Sequence, residues 1–221
     1  MAAKQTALNE KGEGTLAFLL AMREKGVRDP RLLRPFELIS RERFVSSRFA
    51  DLAHGDTSLP IGCGQTIGPP SSLALMLSTL DVAPEHTVLE VGTGTGFATA
   101  ILSQLAAQVI SVERFKTLGI EARVRLRGFH ITNTTVIHGD GTEGVGYFAP
   151  FDRILIDASF DAPPLALIGQ LLPGGKMVGV RRIGSECRMA LYQMDAERGV
   201  TETLGEMMAS PPLITGVSQA L

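Results

Sequence analysis

Apolar residues recur at helical spacing at Leu16, Leu19, Leu20 and Met22, and the period stops at Gly26. A second helical stretch starts at Asp29-Pro30 and carries Leu32, Leu33, Phe36, Leu38 and Ile39. A third follows Pro69-Pro70-Ser71-Ser72, with Leu73, Leu75, Met76, Leu77 and Leu80 on a broad apolar face that ends near Asp81. The pattern then changes. Residues 87–91 form a short apolar run closed by glycines, which predicts a strand, and 98–106 behind it is helical. The same alternation predicts strands at 108–112, 134–137, 151–156 and 176–180 and helices at 118–127 and 164–171, with a turn at Pro173-Gly174-Gly175. Two last strands, 189–194 and 200–207, would be antiparallel and joined near Glu197-Arg198-Gly199. Residues 1–14 are polar and without period.

Strands that alternate with helices predict an α/β, doubly wound, Rossmann-like fold. Its sheet would be mainly parallel, with helices on both faces and a C-terminal antiparallel addition. The 221 residues suit one domain, 1–221, in which 15–80 supply N-terminal helices and a loop and 81–221 supply the α/β core and tail.

Composition narrows the function classes. Lys plus Arg number 21 against 23 acids, so no global field draws the chain onto phosphate backbones or anionic lipid. Nucleic acid and membrane are therefore not expected partners. The apolar run from Leu16 to Met22 is far shorter than the ~20 residues of a bilayer span. Cys63 and Cys187 form neither a CxxC pair nor a disulfide framework, which makes the reducing cytoplasm the expected location. His54, His86, His130 and His138 show no metal-ligand spacing, so no metal is expected.

The sharpest chemical signal is Glu90-Val91-Gly92-Thr93-Gly94-Thr95-Gly96-Phe97, with glycine at every second position between a strand and a helix. Such a loop lets backbone approach a ligand and aims N–H groups at it. A dinucleotide fingerprint requires a third glycine where Phe97 stands, and no Gly-Lys-Ser/Thr phosphate loop occurs. Acids surround the loop instead: Glu90, Glu113, Asp140 and Asp157 each fall near a predicted strand end, where open α/β sheets bind ligands. They suit a cationic centre, an ammonium and a ribose diol, and would repel a pyrophosphate. S-adenosylmethionine has those features. Glu113 lies about twenty residues beyond the loop, the offset of a ribose-binding carboxylate. A helix-start acid for Glu113, a plain turn for Asp140 and a helix cap for Asp157 are the competing readings.

Before the core stands Leu59 to Pro70, LPIGCGQTIGPP, stiff and almost uncharged. This stretch, Arg41-Glu42-Arg43-Phe44-Val45, the glycine loop, Ser111-Val112-Glu113-Arg114, His138-Gly139-Asp140-Gly141 and Leu172-Pro173-Gly174-Gly175 together resemble the protein-L-isoaspartate O-methyltransferase family. The resemblance runs from about residue 15 to 180. It implies a methyltransferase that moves a methyl group from S-adenosylmethionine to the α-carboxylate of L-isoaspartyl residues in damaged proteins or peptides. The product would be S-adenosylhomocysteine. It also implies cofactor contacts at Glu90, Gly92, Gly94, Gly96, Glu113, Asp140 and Gly141 and acceptor contacts at Ile61, Gln65, Thr66 and Ile67, with Thr66 and Gly68 at the reacting carboxylate.

Three departures accompany the resemblance. The family pattern has serine where this chain has Gly68, which costs about 1.5–3 kcal/mol if one hydrogen bond to the charged acceptor is lost. Thr66, Ser71, Ser72 or the Gly68 N–H are candidate replacements. Val180-Arg181-Arg182 replaces a proline- and glycine-containing strand end, and Ala209-Ser210-Pro211-Pro212-Leu213 replaces a segment with an aromatic residue. Arg181 and Arg182 read either as partners for an anionic substrate or as solvated surface residues. Two other readings stand beside the main one: a methyltransferase for another carboxylate or hydroxyl, and a non-catalytic relative that binds cofactor or peptide. The sequence carries no signal of oligomeric state.

Overall fold

The computed structural model describes residues 19–195 and 197–218. A helix covers 19–24 (α1), so the beginning of the helix expected from Leu16, and the stretch 1–14, lie outside the described residues. Asp29 caps α2 (Pro30–Leu38) by accepting from the Arg31 N–H at 2.8 Å. Pro70 opens α3 (Pro70–Leu80), where its missing N–H costs nothing.

Between them lies a hairpin. β1 (Leu59–Pro60) pairs antiparallel with β2 (Thr66–Ile67) around a tight turn at Gly62–Gly64, locked by Ile61 N–H to Gln65 O at 2.8 Å.

The main sheet has seven strands in the order β5-β4-β3-β6-β7-β8-β9. These are β3 (Thr87–Val91), β4 (Gln108–Glu113), β5 (Thr134–His138), β6 (Phe151–Phe160), β7 (Leu171–Ile183), β8 (Glu186–Asp195) and β9 (Gly199–Met207). Strands β5, β4, β3, β6 and β7 are parallel; β8 and β9 add on antiparallel, as the pattern predicted. The core strand β3 is buried on both faces because both are covered, and apart from Glu90 its buried residues are apolar. Val88 joins Leu33, Phe36, Leu77, Ile101 and Leu126 on one side, and Leu89 joins Ile154, Leu167 and Tyr192 on the other. The first side is packed by α2, α3, α4 (Phe97–Ser103) and α5 (Lys116–Gly128); the second takes the single turn α6 (Leu165–Ile168).

Two local expectations change. The helix predicted at 164–171 shrinks to α6, and Pro173-Gly174-Gly175 is a bulge inside β7: Phe151 pairs with Leu171 but Arg153 with Lys176. Here pairing with β6 overrides local propensity. β6 also runs past Ile156 to Phe160, so Asp157 sits within a strand, at an irregularity between Leu155 and Ser159. β7 pairs with this extension at Ser159 and Phe160, and the C-terminal segment docks on it, with Ser159 N–H to Pro211 O and Leu213 N–H to Ser159 O, both 2.7 Å.

The order of strands reverses between β3 and β6, and the crevice at their carboxyl ends is where an open α/β sheet accommodates ligands.

Candidate active site

At that crevice two cavities meet. The larger, about 320 Å³, lies between the hairpin, α3 and the glycine loop. The smaller, about 90 Å³, lies over the ends of β3 and β4. They share Ile61, Thr66, Gly94, Asp157 and Pro211, and so form one trough with a neck.

The glycine loop is built for close approach. Gly92, Gly94 and Gly96 have φ of +98°, +54° and +89°, a region that disfavours side chains. A Cβ on Gly92 would lie 3.6 Å from Asp157 O, and one on Gly96 would press to 3.1 Å from Ala122 Cβ on α5. Gly92 and Gly94 line the small cavity, whereas Gly96 works from behind by seating α4 against α5. Gly141 lines the small cavity too; a Cβ there would meet Val91 Cγ1 at 2.5 Å.

The four acids separate into different roles. Glu113, only 4% exposed, accepts from Gly94 N–H at 2.7 Å and Phe115 N–H at 2.9 Å, and lines the small cavity. Burial pushes its carboxyl up, while the N–H groups of Phe115 and Gly94 oppose the shift. Asp157 lines both cavities at the neck, and burial raises it to about 6. Glu90 and Asp140 line neither cavity. The Asp140 carboxylate accepts from Thr142 N–H and Oγ1 and from Gly216 N–H; these bonds overcome the effect of its burial and hold its pKa low. It pins the C-terminal tail rather than facing the crevice.

Glu90 is fully buried beneath the loop. Its Oε2 accepts from Thr99 and Ser111 hydroxyls, both at 2.5 Å, and its Oε1 has no partner among the described residues. Burial raises it to about 8 against those two hydrogen bonds. In the unfolded chain a glutamate ionises near 4.5, so between about 4.5 and about 8 folding takes up a proton. Its stabilising contribution is therefore complete below that window and declines as pH rises through it, by about 1.4 kcal/mol per pH unit. Glu90→Gln should flatten this decline in urea-unfolding curves taken at pH 5.5 and 8.5; an unchanged slope would mean that Glu90 does not titrate there.

The hairpin forms the other wall. Ile61 and Thr66 reach the neck, Gln65 lines the small cavity, and Ile67 and Gly68 line the large one. Ile61 Cδ1 would lie 3.6 Å from a Cβ on Gly94, so hairpin and glycine loop are in close register. Of the candidate replacements near Gly68, Ser72 lines the large cavity, but the Ser71 hydroxyl is turned away, donating to Asp56 Oδ2 and accepting from Lys25 Nζ, both at 2.7 Å. Arg182 pairs with Asp161 at 2.6 Å on the surface, and Arg181 lies 3.6 Å from Glu202; neither lines the trough.

Two contributors were legible in the sequence only through the family resemblance, Arg41 within the 41–45 segment and the tail as a departure at 209–213. Arg41, 6% exposed, donates from Nη1 to Ala53 and Gly55 carbonyls and from Nη2 to Thr57 and Gly68 carbonyls, at 2.9–3.3 Å. It thereby braces the segment leading through the hairpin. Burial lowers its pKa to about 10, with Asp56 opposing the shift. The second is the tail, which runs from Met208 over Ser159, past Pro211, Pro212, Leu213 and Ile214 on the small cavity, to Gly216, held by Asp140 and Arg114. Proline-rich, aperiodic segments give no local signal that they will cover a crevice.

Among the described residues no group of three or more His, Cys, Asp or Glu could hold a metal ion, and no helix is long and apolar enough to cross a membrane. The donor set suits a sulfonium nucleoside: two acids, Glu113 and Asp157, face one cation, Arg114, whose Nε already binds Gly216 O.

Comparison with known proteins gives the same answer. The sequence profile of the protein-L-isoaspartate(D-aspartate) O-methyltransferase family matches residues 15–208. A protein-L-isoaspartate O-methyltransferase of Azorhizobium caulinodans is 45% identical over 93% of this chain and 94% of its own. One of Xanthobacter autotrophicus is 40% identical over the same shares. In fold, the chain superposes with a TM-score of 0.78 on a candidate protein-L-isoaspartate O-methyltransferase of Plasmodium falciparum crystallised with S-adenosyl-L-homocysteine, at 20% identity over 90% of this chain and 97% of that one. On sequence and fold together, this chain belongs to the protein-L-isoaspartate(D-aspartate) O-methyltransferase family.

Proposed function

We propose that the protein transfers a methyl group from S-adenosylmethionine to the α-carboxylate of L-isoaspartyl residues in damaged proteins or peptides. The observation that carries this reading is the trough itself. An acidic, glycine-lined end meets an acceptor end that has no Lys, Arg or His on its wall, and the two join at Gly94, Asp157, Thr66 and Ile61. S-adenosylmethionine, when bound, supplies an electrophilic methyl group. Gly92, Gly94, Glu113 and Gly141 are the residues that would hold it. Glu113 keeps a lone pair on each oxygen for ribose hydroxyls beyond the two backbone N–H groups it already accepts. Asp157 at the neck offers negative charge to a cationic centre.

A carboxylate acceptor is ionised near neutral pH, so the chain need only position it in line and exclude water. The acceptor wall fits that demand: hydroxyls of Thr66, Thr95 and Ser210 stand among Ile61, Ile67, Met76 and Phe97, and its one carboxyl, Asp157, is at the neck shared with the cofactor end. The two free cysteines suit a reaction in the reducing cytoplasm.

Methyl transfer from labelled S-adenosylmethionine to an isoaspartyl peptide, with the aspartyl peptide as control, tests the reading. Turnover confined to the isoaspartyl peptide is expected; none, with protein that still binds S-adenosylhomocysteine, rejects it.

Pro211 to Ile214 form one side of the small cavity, so lifting that strap would remove part of a bound nucleoside's contact. A bound nucleoside therefore suppresses that lifting. At a hundredfold excess over its Kd, S-adenosylhomocysteine should slow hydrogen exchange at the Leu213 amide about a hundredfold. Unchanged exchange would separate the tail from the cofactor site.

A further inference from the structure

The large cavity receives an anion on the reading above, yet no cationic side chain lines it. Its charge must be met by neutral donors. Gly68 brings no side chain, and a Cβ placed there would have nothing within 4 Å, so that wall is open. The Thr93 hydroxyl, although on the cavity, is committed to Ser111 at 2.5 Å. Two hydroxyls remain conspicuous. Thr95 Oγ1 and Ser210 Oγ are both buried and have no hydrogen-bond partner among the described residues, and both residues line this cavity and not the smaller one. Thr95 is 4% exposed. Buried hydroxyls without partners are rare in folded proteins, and two on one cavity wall mark the place where a ligand completes the bonding.

We propose that Thr95 and Ser210 bind the acceptor carboxylate, each donating its hydroxyl proton, and so set specificity for an anionic acceptor in this chain. The assignment rests on the methyl-transfer reading. Along the glycine loop, Gly92 lines the small cavity, Gly94 the neck, and Thr95 the large one. Ser210 comes from the tail, held in place where Ser159 Oγ donates to Ser210 O at 3.1 Å. A carboxylate has acceptor sites for more than one hydroxyl, and hydrogen bonds to a charged acceptor are the strong ones.

The experiment measures steady-state methylation of an isoaspartyl peptide by wild type, Thr95→Val, Ser210→Ala, Thr95→Ser and Ser210→Thr, with S-adenosylhomocysteine Kd by calorimetry and Tm without peptide. Each hydroxyl-deleting variant is expected to raise KM for the peptide about ten- to a hundredfold, while the Kd stays within twofold. Thr95→Ser and Ser210→Thr keep KM near the wild-type value. Thr95→Val should hold or raise the Tm, because the hydroxyl it removes has no partner; a purely structural hydroxyl would lower it. Wild-type turnover with KM unchanged in both Thr95→Val and Ser210→Ala overturns this assignment alone. Wild type that binds S-adenosylhomocysteine but leaves the peptide unmethylated overturns the methyl-transfer reading, and this assignment with it.

Discussion

Glu113→Gln is expected to raise the Kd for S-adenosylhomocysteine about a hundredfold and to lower the Tm by several degrees. The reason is geometric. The carboxylate now accepts from Gly94 N–H with one oxygen and from Phe115 N–H with the other. An amide has one oxygen, so its NH₂ group must point at one of those two donors and leave it unsatisfied in a buried place. An orphaned buried donor costs about 1–3 kcal/mol, which in a chain of this length moves Tm by about 2–4 °C per kcal/mol. The cofactor loses more. Whichever N–H loses its acceptor, Gly94 at the neck of the trough or Phe115 beside the small cavity, a bond that shapes the site is lost, and with it one strong acceptor for the ribose. Calorimetric titration and a thermal melt check both parts. A Kd within threefold of wild type would remove Glu113 from the cofactor site, whatever happens to Tm.

The second large effect is expected at Arg41. Replacing it by methionine keeps much of the stem but leaves four carbonyls, of Ala53, Gly55, Thr57 and Gly68, without their donor. Hydrogen bonds from a charged group contribute about 1.5–3 kcal/mol each, and partial access of water to this segment offsets some of the loss. A destabilisation of about 3–5 kcal/mol should result, read from urea unfolding. Gly68 borders the acceptor cavity and Thr57 leads into β1, so the peptide KM should rise by tenfold or more while the Kd for S-adenosylhomocysteine holds. Arg41→Lys should recover only part, because a single ammonium has no planar fork to span four acceptors. If KM and stability both survive Arg41→Met, the hairpin is held by its own pairing and not by the guanidinium.

These two residues show how unevenly the site could be read from the chain. Glu113 was legible because its evidence is local: a carboxylate ending an apolar run at a fixed distance beyond an alternating-glycine turn. Arg41 was visible only as part of a short segment resembling the family, since its acceptors are 12 to 27 residues away and consist of backbone. Glu90 and Asp140 were picked out by the same rule as Glu113, and the structure gives them other surroundings. Which face a strand-end side chain takes depends on the neighbours that compete for it. Thr99 and Ser111 draw Glu90 inward, and Thr142 and Gly216 occupy Asp140. Asp157 shows the complementary case, because its place at the neck falls at an irregularity in the pairing of β6 with β7, beside the docked tail.

By itself the sequence determined the alternation of strands and helices, the parallel core with its antiparallel end, the glycine turn and the stiff loop ahead of it. Each is governed by periodicity and by backbone freedom within a few residues. Only the tertiary structure decided that the hairpin, the turn and the tail converge on one trough, that Thr95 and Ser210 line it with hydroxyls that have no partner among the described residues, and that one arginine braces a wall through four carbonyls. Those outcomes depend on contacts between residues far apart in the chain, whose energies are settled by packing and by competition for hydrogen bonds, and neither leaves a periodic trace in the order of amino acids.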